Sequence, residues 1–197
     1  MTKVIADITM SLDGYVAPPG DEQAGGIVDV DELQTWVMEQ DPVDHDVLVR
    51  ATAATGAVVM GRRLFDIVNA PDVWTADMAY GAQPADATPY FVVTHSAPPR
   101  SRLIDELGLR ITFADGLESA VEQARTAAGD DHVVIMGGGD VIGQAIEQGL
   151  VDELHLHLAP MLLGGGTPLF RPRTRQQYRQ RDVRPSGNAV HLVYERA

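Results

Sequence analysis

Val133-Val134-Ile135-Met136-Gly137-Gly138-Gly139-Asp140-Val141-Ile142 is the stretch from which the rest of the chain can be read. His132 to Met136 is a continuous apolar run, the pattern of a strand covered on both faces. Val141, Ile142, Ala145 and Ile146 then recur at helical spacing until Gly149. Strand, glycine turn and helix follow in that order. Glycines at the carboxyl end of a strand let backbone come close to a ligand, and the start of the next helix offers unpaired N–H groups to a phosphate. The same residues also suit a tight strand-to-helix turn with Asp140 as its cap. The G-x-G-x-x-G dinucleotide fingerprint is absent, because the three glycines are consecutive and no acidic ribose-binding residue stands at the spacing it requires.

Further strands are predicted over 3–10, Ala57 to Met60, Pro89 to Thr94 and Val151 to Pro160. Two more, Gln177 to Arg184 and Ala189 to Arg196, are joined by a Pro185-Ser186-Gly187-Asn188 turn. Helical spacing marks Leu33, Trp36 and Val37, then Val47, Leu48 and Ala51, then Leu64, Phe65 and Val68. Asp115 and Glu118 have capping-box spacing before a stripe of Leu117, Val121 and Ala124. With no repeat or convincing linker, residues 1–197 form a single α/β domain that finishes in an antiparallel hairpin.

Three other strand ends carry polar chemistry. Gly61-Arg62-Arg63 follows a short apolar strand, and forked guanidinium groups suit phosphate oxygens, although ion pairs with Asp66 and other carboxylates are the plain alternative. Thr94-His95-Ser96 places hydroxyl and imidazole donors in an equivalent position. Asp13, before Gly14, suits either an Asx-type turn or the orientation of a polar heterocycle. Asp31 and Glu32 are substrate-facing acids or helix-start residues, and His155 and His157 line one strand face as structural or substrate-lining residues, not as a metal pair.

The 197 residues include 45% apolar and 22% charged types, enough for an ordinary core. The absence of cysteine removes disulfides, thiolate metal sites and cysteine nucleophiles. A net charge of -13 repels nucleic acid and anionic membranes, so neither is an expected partner. The end of the chain is basic, with seven arginines against Asp182 and Glu195 from residue 165 onward, read as a solvated hairpin or, less simply, an interface. No apolar run reaches membrane-span length and the opening Met1-Thr2-Lys3-Val4-Ile5-Ala6-Asp7 lacks a signal-peptide pattern, so a cytoplasmic protein is expected. The sequence motifs of serine hydrolases, zinc hydrolases and P-loop proteins are missing.

Taken in order, Ser11-Leu12-Asp13-Gly14, Met60-Gly61-Arg62-Arg63, Phe91-Val92-Val93-Thr94, Met136-Gly137-Gly138-Gly139, and Asp152-Glu153-Leu154 through Ala159-Pro160-Met161-Leu162-Leu163-Gly164 resemble the dihydrofolate reductase-like superfamily. The resemblance is to the branch holding the reductase domain of bacterial riboflavin biosynthesis enzymes, the RibD C-terminal domain, and it spans nearly the whole chain. It implies a three-layer α/β fold: a mixed, largely parallel sheet of about eight strands, helices on both faces and a C-terminal antiparallel hairpin.

The resemblance also implies NADPH across the strand ends. Gly61, Arg62 and Arg63 would meet its phosphate end, and Thr94, His95 and Ser96 would lie near the adenosine ribose phosphate. Gly137, Gly138, Gly139, Asp140 and Val141 would line the diphosphate and nicotinamide ribose, with Asp13 on the substrate side. The loop from Ser11 to Gly20 replaces the proline-and-tryptophan loop of folate reductases, which points away from dihydrofolate, and Arg171, Arg173 or Arg175 would supply a substrate phosphate site. The implied activity is hydride transfer from NADPH to a small heterocyclic or carbonyl substrate, pyrimidine or pterin-like, with Asp13 orienting it. A non-catalytic nucleotide-binding or interaction module, or a deazaflavin in place of nicotinamide, are the alternatives. The long alternating terminal strands lead us to expect a homodimer.

Overall fold

The computed structural model describes residues 2–20, 32–39, 41–71, 73–75, 88–170 and 175–197. The chain runs β1 (Val4–Ser11), β2 (Tyr15–Ala17), α1 (Thr35–Met38), α2 (Pro42–Ala53), β3 (Thr55–Gly61) and α3 (Arg62–Val68). It continues through β4 (Tyr90–Val93), α4 (Arg102–Asp105), β5 (Ile111–Ala114), α5 (Leu117–Ala128), β6 (His132–Met136) and α6 (Gly139–Glu147). β7 (Glu153–Ala159), β8 (Thr167–Pro168), β9 (Tyr178–Pro185) and β10 (Val190–Arg196) complete it.

Strand alternation divides the core in two. Val4, Ala6 and Ile8 of β1, Ala57 and Val59 of β3, and Val133 and Ile135 of β6 pack beneath Ala120, Val121 and Ala124 of α5 and Ile142 and Ala145 of α6. The intervening residues Val58, Met60, Tyr90 and Val92 meet Phe65, Val68 and Leu103 on the other face. Helices therefore cover both sides of the central strands, which is why those strands read as continuous apolar runs.

The sheet order is β5-β4-β3-β6-β1-β7-β10-β9. β5, β4, β3, β6, β1 and β7 are parallel neighbours, while β10 and β9 are added antiparallel. β6 enters between β3 and β1 instead of extending an edge. The carboxyl ends of β4, β3, β6 and β1 consequently stand side by side.

Two local readings are corrected. The capping box is not formed: Gly116, at φ 107°, is the N-cap of α5 without any side-chain cap, and Asp115 instead meets the His95 ring. Asp140 is not a cap either, because Gly138 takes the N-cap position of α6 and leaves Asp140 in the first turn. By contrast α2 starts where its chemistry dictates, with Asp41 accepting from the Val43 and Asp44 N–H groups and Pro42 at the first helical position. The basic end forms the expected hairpin. Arg181 pairs with Glu195, and Arg184 bridges Asp182 and Asp46 at 2.7 Å each. Among the described residues no helix is long and apolar enough to cross a membrane.

Candidate functional site

Adjacent strands are about 4.8 Å apart, so the four neighbouring ends of β4, β3, β6 and β1 make a row about 15 Å across. Asp13, Gly61, Arg62, Arg63, Thr94, His95, Ser96 and residues 137–141 stand at or directly after those strand ends. Their contacts show how the row is held together.

The glycines of this row are required first by the protein's own packing. A Cβ on Gly61 would stand 2.5 Å from Val141 Cγ2, and one on Gly137 (φ 55°) would stand 2.5 Å from Leu64 Cδ2. Gly139 is similarly closed by Val16 and by the Pro168 carbonyl. Glycine at these positions lets α3, α6 and the β2–β8 pair converge on the ends of β3 and β6. Gly138 differs. It has φ 73° and nothing within 4 Å of its missing Cβ, so its side faces open space at the start of α6.

Arg62 links two of the strand ends. Its Nε donates to Asp66 Oδ1 and Oδ2 at 2.8 and 2.9 Å, and its NH1 reaches the Ser96 carbonyl and Thr94 Oγ1. Thr94 and Ser96 close a turn of their own, with the Ser96 N–H donating to Thr94 Oγ1 at 3.2 Å. His95 projects outward and meets Asp115 Oδ1 at 2.5 Å, with both side chains largely in solvent. Arg63 and Asp140 are exposed and Val141 is half-buried. The Asp66 pairing foreseen as the plain alternative for Arg62 is thus present, and the same guanidinium also spans toward β4.

Asp13 is exposed at the other end of the row. It accepts from Ser11 Oγ at 2.5 Å and from the Leu163 and Gly164 N–H groups at 3.1 and 2.8 Å. The Ser11 hydroxyl, helped by those two N–H groups, holds its carboxyl below the usual aspartate range. Asp13 therefore stays ionised at neutral pH, fastens the loop after β1 to the loop after β7, and acts as an acceptor, not a proton donor. Glu32 is exposed and its carbonyl accepts from Thr35 Oγ1. Arg175 is exposed, whereas Asp31, Arg171 and Arg173 lie outside the described residues.

The residues fit a bound dinucleotide. An open glycine at a helix start, backbone N–H groups of that helix, and arginine side chains on the neighbouring strand end are complementary to phosphate.

What sequence reasoning missed lies inside. His157 and His191 join Asp7 and Asp44 in a buried hydrogen-bonded row under Trp36. The available signal was Asp7 itself, a charged residue within the apolar run of β1 that must find a partner when buried.

A mostly parallel sheet flanked by helices, ending in an antiparallel hairpin and with glycine and arginine turns at its switch point, defines a dihydrofolate reductase-like fold. The chain belongs to the RibD C-terminal domain family, whose profile matches residues 2–192. Two Bacillus subtilis relatives, the uncharacterized proteins YyaP and YwjB, are each 27% identical, over 85% of this chain and 80% of YyaP and over 99% and 98% for YwjB. Among solved structures, a putative riboflavin biosynthesis protein from Shewanella sp. PV-4 superposes with a TM-score of 0.70 at 23% identity, covering 100% of this chain and 99% of that one. A pyrimidine reductase-like protein from Corynebacterium diphtheriae gives 0.63 at 18% identity, with 100% and 92% covered. Dihydrofolate reductase from Enterococcus faecalis complexed with NADP(H) gives 0.57 at 15%, with 98% and 96% covered.

Proposed function

We propose that this chain is an NADPH-dependent reductase that transfers a hydride to a polarised C=N or C=O of a small heterocyclic or carbonyl substrate, pyrimidine or pterin-like. The observation that carries this reading is the adjacency of the four strand ends, which brings Arg62, Thr94, the open Gly138 and Asp13 onto one edge. Gly138 and the first N–H groups of α6 would hold the diphosphate, and Arg62 and Arg63 with Thr94, His95 and Ser96 would hold the adenosine ribose phosphate. Gly61, Gly137 and Gly139 keep the surrounding elements close enough to form that cradle, with Asp140 and Val141 beside it. The cofactor, when bound, supplies the hydride. Asp13, held ionised, would orient polar N–H groups of the substrate at the other end.

Cofactor choice tests the reading directly. Calorimetric titration of the wild-type chain should show tighter binding of NADPH than NADH. Replacing Arg62 and Arg63 together with alanine should weaken NADPH about 10-fold or more while sparing NADH, given the strength of charge-assisted arginine–phosphate bonds. Equal cofactor ratios in wild type and variant overturn the assignment. Tight NADPH binding without oxidation across a carbonyl, pterin and pyrimidine panel favours a non-catalytic nucleotide-binding module, and preference for a deazaflavin would replace the cofactor. Among the described residues β9 and β5 are the two outer strands of the sheet, and with β9 long and alternating we expect a homodimer by light scattering at micromolar concentration.

A further inference from the structure

One face of α2 reads Asp44, Val47, Ala51 and, at the carboxyl cap, Ala54, the spacing of a helix stripe turned toward the sheet. Asp44 is buried and pinned, with Oδ1 2.7 Å from His191 Nε2 and Oδ2 accepting from Asn188 Nδ2 at 3.1 Å. Near the other end Thr55 Oγ1 donates to the Ala51 carbonyl at 2.7 Å. Between these pins the small side chains of the stripe do not fill the distance to the strands. A cavity of about 270 Å³ remains, roofed by Val47, Ala51 and Ala54 and floored by Ile5, Val134 and Val193. On the opposite face of the sheet α5 buries five residues, whereas α2 buries only Asp44.

The cavity lies at the amino ends of the central strands, where Ile5, Thr55, His132 and Glu153 stand at or beside the first residues of β1, β3, β6 and β7. The proposed cofactor row begins at the other ends, at Gly61 and Met136. Along β3 the steps from Thr55 to Gly61 cover about 20 Å. The cavity is therefore a separate place, and its occupancy is independent of the reductase reading.

Its polar lining is unevenly satisfied. Asp182 accepts from Arg184 Nε at 2.7 Å on one oxygen and from the Val183 N–H at 3.0 Å on the other. Glu153 is bound on one oxygen by Lys3 and on the other by His155. Asp7 is held by His157 and by a further interaction, and His157 and His191 are bound to each other. The arginines differ. Arg50 Nε and Arg184 NH1 both end on Asp46 Oδ2, at 2.7 Å each, so guanidinium groups from α2 and β9 stand side by side at the cavity. Among the described residues Arg50 NH1 and NH2 and Arg184 NH2 have no protein acceptor. Also among the described residues, no three His, Asp or Glu side chains are placed to hold a metal ion. The walls thus offer apolar surface, and the two guanidinium forks lack an acceptor.

We propose that this cavity binds a small organic anion with an apolar body, a carboxylate carrying one ring or a branched chain. The carboxylate takes the spare N–H groups of Arg50 and Arg184, since a fork of parallel donors matches its two oxygens. The body lies between α2 and the strands, against Val47, Ala51, Ile5 and Val134, where it removes apolar wall from water. The volume stands just below the roughly 300 Å³ at which drug-sized sites begin, which limits the body to about one ring. A cation would meet both arginines while Asp182 and Glu153 are already bound, and a neutral molecule of the same shape would leave the guanidinium charge without a counterpart.

Calorimetric titration of the full chain with phenylacetate should show saturable one-to-one binding, with phenylacetamide and phenethylamine, its neutral and cationic counterparts, about 10-fold weaker or worse. Arg50→Gln combined with Arg184→Gln should weaken phenylacetate by about the same factor. Ala51→Leu puts its side chain into the cavity and should abolish binding, with a cooperative melt to show that the variant is folded; Ala54→Val is the milder filling. NADPH should not displace phenylacetate. Absence of saturable binding, equal affinity for the three probes, unchanged affinity in the arginine variant, or binding that survives both fillings in folded protein overturns the site. Displacement by NADPH overturns it as well, by placing the probe at the strand ends. Where NADPH itself fails to bind, the reductase reading falls, and the arginine and alanine variants decide the cavity alone.

Discussion

The strand-end row and the row beneath Trp36 use the same kinds of side chain under opposite conditions. At the edge, Arg62 pairs with Asp66 where both side chains keep 37% and 52% of their surface in water. Inside, His191 and Asp44 keep 4% and 0%. Water replaces a broken contact at the edge at little cost, so those groups are free to exchange partners with a ligand. A buried polar group left alone has no such substitute, so each interior group is committed to its neighbour.

Removing Asp44 should have the largest effect. Asp44→Ala strands His191 and Asn188 and is expected to cost about 3 to 5 kcal/mol in urea unfolding. A loss under about 1 kcal/mol would erase the distinction between the two regions.

Glycine substitutions sharpen the comparison within the edge itself. Gly138→Ala meets only its backbone conformation and should cost about 1 to 2 kcal/mol, whereas Gly137→Ala adds the clash with Leu64 and should cost about 1 kcal/mol more. Leu64→Ala should narrow the gap between them, measured in the same unfolding series.

Glu153 stands between the regimes, with its side chain 14% exposed. The His155 hydrogen bond, with Lys3 adding to it, pulls its pKa from 4.5 to about 2. Because the folded value is depressed, its contribution is complete above the ordinary value and is lost as pH falls from there toward about 2. Glu153→Gln should therefore lower stability by about 2 kcal/mol at pH 7 after screening at half-exposed Lys3, and flatten the acid limb of a melting-temperature profile. An unchanged limb would place Glu153 with the edge groups.

The smallest effect belongs to Asp66→Asn, expected to cost under about 1 kcal/mol in stability. Its readout is cofactor affinity: an Arg62 released from Asp66 should alter the NADPH to NADH binding ratio. A large stability loss would show that the edge pair is structural.

The strands that read most clearly were those with long apolar runs, β3, β4 and β6, because helices cover both their faces. β5, at Ile111–Ala114, and α4, at Arg102–Asp105, are four residues each and too short for a period to show. The turns of the candidate row were legible because each is local: a strand, then glycine or arginine where the next helix starts. The capping box failed for the converse reason, since Gly116 begins the helix one residue later than the spacing of Asp115 and Glu118 implied.

The order of local elements, the glycine turns and the acidic balance follow from residues close together in the chain, whose spacing alone selects strand or helix. Which strand ends become neighbours, and the meeting of Asp7, Asp44, His157 and His191, were decided only by the sheet order and by the helix laid across it. Contacts between residues 34 to 150 positions apart depend on register and burial, and a hydrogen bond between buried groups leaves no periodic trace in the sequence.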